Sequence, residues 1–414
     1  MRRARPSASG TAARRPCDDA IVPLSIAIVG AGIGGLTAAL ALSRRGHRVT
    51  LLERRTGFSE LGAGIQLSPN ASGVLAGLGL ESALRRIGAE PPRVVIRNLR
   101  AGTELAAVAL GAFLRERFGA PYLVVQRADM QTLLLDAVRA HGDVRLLVGR
   151  KVVGIADEGS GIAITAERGG GAREIVRADL AVGADGLWSR TRRVLGDGRS
   201  PAYGGYAAWR ATLPRAAAPA ALQGPVTGLW LGPRRHVVHY PMASGGLVNV
   251  VAVTQRREPV EGWATPGDAG DLQAAFADAA PALLDLLRAV PEWSLWALSD
   301  LPARRMAQGR IALLGDAAHP VLPFLAQGGA LAIEDAAVLA AALDAVPQDP
   351  AAALAGYAAQ RLARVGRVQA AARHNGPIYH GRGAIAFARD LVMRRLGPEG
   401  MTARYDWLYG WTPP

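Results

Sequence analysis

The chain has 414 residues and a single cysteine, Cys17, within its first twenty. This excludes an internal disulfide and, inside the folded body beyond those residues, a thiolate zinc site and a Cys–His catalytic pair, and it fits a reducing cytoplasmic setting. Lysine is equally scarce: Lys151 stands alone among 48 basic residues, so arginine carries the formal charge of +14. Aromatic residues make up only 5% of the chain, and no basic stripe alternates with them. That pattern is a solvated surface rather than a nucleic-acid footprint. No metal-ligand spacing and no internal repeat is present. The stretch Ile21 to Leu42 carries no charge and is long enough to span a bilayer. Pro23, Gly30, Gly32, Gly34 and Gly35 interrupt it, and strand, tight turn and helix account for it better than a membrane span. Neither a membrane nor a nucleic acid is therefore expected as a partner. Residues 1–21 lack an apolar segment of their own and are expected to form a disordered tail.

Half of the residues are hydrophobic, enough for a large α/β body or several domains. Ser25–Val29 is a short continuous apolar run, as in a parallel strand buried on both faces. Gly30–Gly35 follows as a turn, Leu36–Arg45 as a helix, and His47–Leu52 as a second strand ending in Glu53. This is a βαβ opening. A helix is expected over Ala128–Ala140, strands over Val144–Val148 and Ile162–Ala166, and a hairpin turn at Arg168–Ala172. Asp179–Val182 and Arg310–Leu314 read as further core strands. From Tyr203 to Val253 aromatic and β-branched runs predict an antiparallel sheet in a second domain. A helical stretch is expected over Asp268–Val290, a strong helix over Ala330–Ala342, and more helices to about Ile385.

Three glycine–acid signals each follow a strand-like run, where an open α/β sheet binds its ligand. In the first, Gly30 permits the tight turn, Gly32 the approach of backbone to a pyrophosphate, and Gly35 the packing of helix on strand. Glu53, closing the next strand, suits the hydroxyls of an adenosine ribose; the alternative is a surface glutamate beside a structural turn. The second signal is Gly183-Ala184-Asp185-Gly186 and the third Gly315-Asp316-Ala317-Ala318-His319-Pro320. Asp316 suits a polyol chain, and otherwise an N-cap; Asp185 suits a ligand, and otherwise a cap or turn. Arg127 suits a phosphate, and otherwise solvent.

The order GAGIGG, LLER, QRADMQTLL, GADGLWSRTR and GDAAHPVLPFLAQGGALAIEDA resembles the single-component FAD-dependent aromatic hydroxylases. The likeness is to the branch of salicylate hydroxylase and the hydroxybenzoate and 6-hydroxynicotinate monooxygenases. It implies a Rossmann-like FAD-binding domain, discontinuous in sequence, with an inserted antiparallel-sheet substrate domain, as in para-hydroxybenzoate hydroxylase. The implied segments are 22–96, 122–198 and 304–375 for FAD, 97–121 and 199–303 for substrate, and a helical segment over 376–414. Gly30, Gly32, Gly35, Glu53 and Arg127, with Arg54 beside them, would hold the ADP half of a non-covalent FAD. Asp185 and Gly186 would lie near the pyrophosphate and serve productive binding of NADH or NADPH. Asp316 would hold the ribityl chain, and the loop Pro323–Gly329, with Gly328 and Gly329 at its end, would lie beside the isoalloxazine ring.

Strand alternation puts His236, Val238 and Tyr240 on one face and His239 on the other. Relatives carry a His and a Tyr four apart in this strand facing substrate, which implies that His236 accepts a phenol proton and Tyr240 orients the ring. The alternative is a solvated His236, with His239 as base if the register is off by one. His319 reads as structural or flavin-adjacent, and Gln66 and Asn70 as neighbours of flavin or substrate. The implied reaction is hydroxylation of an aromatic acid or phenol by NAD(P)H and O2 through a flavin hydroperoxide, in a cytoplasmic monomer or homodimer. The same frame also suits a flavoprotein dehydrogenase or reductase, an oxygenase of olefins or polyketides, or a flavin-binding protein without activity.

Overall fold

The computed structural model describes residues 23–58, 64–242, 245–260, 262 and 265–414. The tail expected over residues 1–21, with Cys17, lies outside them. The chain opens as β1 (Ser25–Val29), α1 (Ile33–Ser43), β2 (Arg48–Glu53), β3 (Gly64–Leu67), α2 (Pro69–Gly77) and α3 (Glu81–Ile87). There follow β4 (Arg93–Asn98), β5 (Glu104–Ala109), α4 (Gly111–Phe118), β6 (Leu123–Gln126), α5 (Arg127–His141) and β7 (Val144–Val148). A meander comes next: β8 (Lys151–Asp157), β9 (Ile162–Glu167) and β10 (Arg173–Ala178). After it stand β11 (Leu180–Gly183), α6 (Arg190–Val194), β12 (Ala202–Pro214), β13 (Thr227–Gly232), β14 (Arg235–Met242) and β15 (Leu247–Gln255). The last third holds β16 (Thr265–Gly267), α7 (Ala269–Ala275), α8 (Pro281–Arg288), β17 (Trp293–Asp300), β18 (Ala307–Gln308) and β19 (Ile311–Leu313). It closes with α9 (Gly328–Ala345), α10 (Pro350–Tyr379), α11 (Ala384–Ala403) and α12 (Asp406–Tyr409).

The apolar runs read as buried strands form one sheet, ordered β18-β19-β11-β1-β2-β7 and parallel from β19 to β7. It is covered on both faces, as such runs require. α1, α5 and α9 pack together on one side, and the β8–β10 meander contributes Val152, Ile162 and Ile164 to the same core. The three glycine–acid motifs all lie at the carboxyl ends of neighbouring strands β1, β11 and β19.

The second sheet has eight strands, ordered β16-β17-β12-β15-β14-β13-β4-β5. It is antiparallel apart from the β13–β4 junction. One face carries Trp209, Val237 and Val250 against Leu272, Phe276, Leu283 and Leu286 of the α7–α8 region. The opposite face carries Ala208 and Val253 against Leu322 and Phe324, which belong to the segment after the third motif. The eight-stranded sheet thus packs against the segment that follows the third motif of the parallel sheet.

One expectation needs revision. The helical stretch over Asp268–Val290 is two helices, because Pro281, which has no N–H to donate, starts α8 as a first-turn residue. The helical segment over 376–414 carries helix to Tyr409, beyond the Ile385 of the local reading, with a kink where Gly397 takes φ 65° before Pro398. Within the uncharged opening stretch, the described part is a strand, a turn and an eleven-residue helix. No helix among the described residues is long and apolar enough to cross a membrane.

Candidate active site

The first motif has the geometry of a phosphate cradle. Gly30 takes φ 105°, and a Cβ there would lie 2.4 Å from the Ala184 carbonyl oxygen. A Cβ on Gly35 would lie 1.9 Å from the Gly30 carbonyl oxygen, so the helix packs on the strand only through glycine. A Cβ on Gly32 would meet nothing within 4 Å. The start of α1 therefore opens onto free space, and no side chain caps it; a helix amino end of this kind suits an anion. Glu53 fixes the turn: its carboxylate accepts from Ala31 N–H at 2.9 Å and from Arg55 N–H at 2.9 Å. Arg54 beside it is exposed, and Arg127 stands at the first position of α5.

Asp185 and Asp316 differ. Asp185 accepts from Ser189 Oγ at 2.5 Å, Arg190 N–H at 2.8 Å, and Thr191 N–H and Oγ1 at 3.0 and 3.1 Å. Its side chain is engaged at the entrance of α6, the cap-or-turn reading, and Gly186 follows at φ 76°, where a Cβ would meet nothing within 4 Å. Asp316 is exposed and caps nothing, since α9 has no side-chain cap. A Cβ on Gly328 would lie 4.0 Å from the Asp316 Oδ1. A Cβ on Gly329 would meet nothing within 4 Å. A carboxylate at a glycine-lined helix entrance suits a hydroxylated chain, so the residues fit FAD.

A buried polar network supports this entrance. His319 Nε2 lies 2.5 Å from Asp335 Oδ2, which also accepts from Gly315 N–H at 2.9 Å. Arg361 donates to Asp335 at 2.6 Å and pairs with Glu334 at 2.8 Å. Burial pushes the Asp335 carboxyl up, but the charges of His319 and Arg361 outweigh it and hold it at about 2. Glu334 accepts from Asn70 Nδ2 at 2.6 Å, and Asn70 also reaches Gln327 at 3.1 Å. His319 is thus held in a buried ion-pair network, and Asn70 ties α2 to Gln327 and Glu334 at the start of α9. Pro323 opens the loop before α9 as a short 3₁₀ turn, and Ala326 closes it at φ 54°, a region L residues seldom adopt.

On the facing sheet, β14 pairs with β15 so that His236 stands opposite Val253 and Tyr240 opposite Asn249. His236 is buried against Phe324 and Tyr379, and its Nδ1 lies 2.8 Å from His380 Nε2. Burial, reinforced by His380, holds the His236 imidazole well below its ordinary value, so it is neutral at pH 7. The Tyr240 hydroxyl donates to the Gly64 carbonyl at 3.0 Å, and burial pushes its phenol up to about 12 against the pull of Arg210. Gln66 lies in the same corner, accepting from Tyr122. His239 points the other way, beside Trp230 and the Arg97 side, where burial and then Arg97 lower it to about 3.

Several residues of this site went unnoticed in the sequence. His380 and Tyr379 lie at the end of α10 with no local motif. Glu334 and Asp335 did carry a signal, two adjacent carboxylates in an apolar helix that demand buried cations. Arg210 carried another, as the one charge in the run Tyr206-Ala207-Ala208-Trp209-Arg210-Ala211-Thr212-Leu213.

The FAD binding domain family matches residues 24–372. A 3-hydroxybenzoate 6-hydroxylase of Polaromonas naphthalenivorans is 33% identical over 390 residues, spanning 94% of this chain and 96% of its own. A 6-hydroxynicotinate 3-monooxygenase of Bordetella bronchiseptica is 36% identical over 84% of this chain and 91% of its own. Among solved structures, a salicylate hydroxylase substrate complex superposes with a TM-score of 0.79 at 25% identity, covering 94% of this chain and 96% of that one. A nucleotide cradle, an acid at a glycine-lined helix entrance and a sheet facing both thus coincide with likeness along nearly the whole length, and the chain belongs to the FAD-dependent aromatic hydroxylases.

Proposed function

We propose that the protein hydroxylates an aromatic acid or phenol that already carries a ring hydroxyl group, using O2 and NADH or NADPH. Bound FAD supplies the redox and oxygen chemistry; the chain supplies binding, orientation and a base. Gly30, Gly32, Gly35, Glu53, Arg54 and Arg127 hold the adenosine diphosphate half, with Glu53 serving the turn as well as the ribose. Backbone at Asp185 and Gly186 borders the pyrophosphate, Asp316 takes the ribityl hydroxyls, and Pro323 to Gly329 shields the ring. His236 accepts the substrate hydroxyl proton and raises the electron density of the ring. Tyr240 orients the same ring.

The observation that carries this reading is the shared face of His236 and Tyr240, turned toward the Phe324 segment that follows Asp316. Neutral His236 has its Nδ1 engaged by His380, which leaves Nε2 for the substrate. The protein is read as cytoplasmic, which its sole cysteine fits, and as a monomer or homodimer. The test is a screen of phenols and aromatic acids for stimulated NAD(P)H oxidation, with O2 uptake and mass spectrometry of products. Stimulated oxidation without oxygen incorporation would make it a reductase and reject this reading.

A further inference from the structure

The face of the eight-stranded sheet that looks away from Phe324 holds polar groups that the reaction does not use. Its floor is a square of positions on two neighbouring strands. Arg97 on β4 pairs with Trp230 on β13, and Val95 pairs with Gly228. Residues two apart on one strand share a face, so all four positions look the same way. Trp230 packs in the α7–α8 core, which fixes that face. His239 on β14 pairs with Gly228 from the other side. A Cβ on Gly228 would lie 2.0 Å from His239 Nε2, so the imidazole reaches over the glycine toward β4.

Three nitrogens meet there without a partner. Arg97 Nη1, Trp230 Nε1 and His239 Nε2 are each sealed from solvent and bonded to nothing among the described residues. Trp230 is 2% exposed and His239 1%. The guanidinium lies 5.3 Å from the centre of the indole, and the indole and imidazole centres are 6.3 Å apart. A Cβ on Gly102 would lie 4.0 Å from the Cζ3 corner of Trp230. The indole N–H, on the far side of the ring from that corner, therefore turns back toward Gly228 and His239. Arg97 is also the charge that acts on His239, adding to the effect of burial.

Arg97 Nη1 and the indole N–H can only donate, and an imidazole with its proton on Nε2 makes a third donor. No carboxylate among the described residues pairs with Arg97. Glu104, opposite it on β5, is exposed and supports its charge only from a distance, while burial works against that charge. An unmatched guanidinium in a desolvated site is costly. A water molecule can accept from two donors but leaves the charge uncompensated. An anion answers both demands. The single guanidinium sets its charge at one, and sealed nitrogens beside the buried Val95 and Val250 keep it small.

We infer that Arg97, Trp230 and His239 form a receptor for a compact monovalent anion, of the size and charge of a halide. It lies on the back of the strand whose front carries His236 and Tyr240.

The test uses full-length, FAD-loaded protein with chloride and bromide as probes, at constant ionic strength set with the bulkier gluconate. Crystals soaked in bromide are expected to show an anomalous peak in contact with Arg97 Nη1 and Trp230 Nε1. In solution the melting temperature is expected to rise with either halide and to saturate. Arg97→Met should weaken the saturable effect about 10- to 100-fold. Trp230→Phe, which keeps a ring and removes one donor, should weaken it about 3- to 10-fold. A water in place of bromide overturns the inference. So does an equal halide midpoint in Arg97→Met and wild type. A crystal peak with no saturable effect in solution is binding at crystal concentration only, and rejects it too. Should Arg97→Met not fold, Trp230→Phe and wild type decide: an absent bromide peak or an unmoved midpoint in Trp230→Phe then overturns the receptor.

Discussion

His236 on β14 and His380 at the end of α10 are joined ring to ring, Nδ1 to Nε2 at 2.8 Å. The pair ties the eight-stranded sheet to the end of the long helix α10, where the Tyr379 hydroxyl donates to the Phe324 carbonyl at 3.2 Å.

Removing His236 is expected to uncouple the reaction rather than stop it. His236→Ala should lower product formed per NAD(P)H consumed, with hydrogen peroxide released in its place, while flavin reduction changes little. Loss of a general base costs about 100-fold or more in the step it assists. His239→Ala should leave coupling near wild type, since that ring packs beside Trp230 on the other face. The ratio of product to NAD(P)H in the three proteins is the measurement. Loss confined to His239→Ala would make His239 the base.

The purified protein should be yellow, with FAD released on denaturation. Asp316→Ala should retain less FAD through dialysis, because an acceptor for the ribityl hydroxyls is lost at a site where no side chain replaces it. Unchanged retention would return Asp316 to a purely local role.

Gly35→Ala should abolish flavin binding and lower the melting temperature together. The added methyl carbon would lie 1.9 Å from the Gly30 carbonyl oxygen, and main chain has no room to yield. Gly32→Ala meets no protein atom, so it should fold as wild type and lose affinity for FAD alone. Thermal melts with and without added FAD separate the two effects.

Stability should fall on mild acidification. Burial lowers His239 to about 3 and His380 to about 4, below the ordinary value near 6.5. The unfolded chain therefore binds more protons than the folded one between about pH 4 and 6.5. Stability is fully present above that window and is lost as pH descends through it, by about 1.4 kcal/mol per pH unit for each such histidine. Urea midpoints at pH 7 and pH 5 measure the loss, and His239→Leu should shrink the difference.

The buried ion pair behind the third motif should be intolerant of half-removal. Arg361→Met leaves Asp335 with His319 alone and takes from Glu334 one of its two arginines, a change that costs about 3–5 kcal/mol. A shift in urea midpoint with unchanged slope would measure it.

The parallel core and its three motifs were legible because each is local: an apolar run followed by glycines, or by an acid at a strand end. Alternation likewise separated His236 from His239, since a period of two needs no knowledge of the partner strand. Partners far along the chain were not legible. His380 meets His236 only because the far end of α10 comes to β14, and Arg361 reaches Asp335 only across the packed helices α9 and α10. Asp185 shows the limit within a motif: its spacing suits a ligand or a cap equally, and only the donors at Ser189, Arg190 and Thr191 show how its side chain is used.

The order of strands also sets an order of assembly at the ribosome. Every strand of the eight-stranded sheet has been synthesised by Asp300, whereas the six-stranded sheet still lacks β18 and β19, and with them Asp316 and α9. A released fragment ending at Asp300 would hold all eight strands of that sheet without Asp316 or α9, its apolar surface on the Leu322–Phe324 side uncovered and open to aggregation.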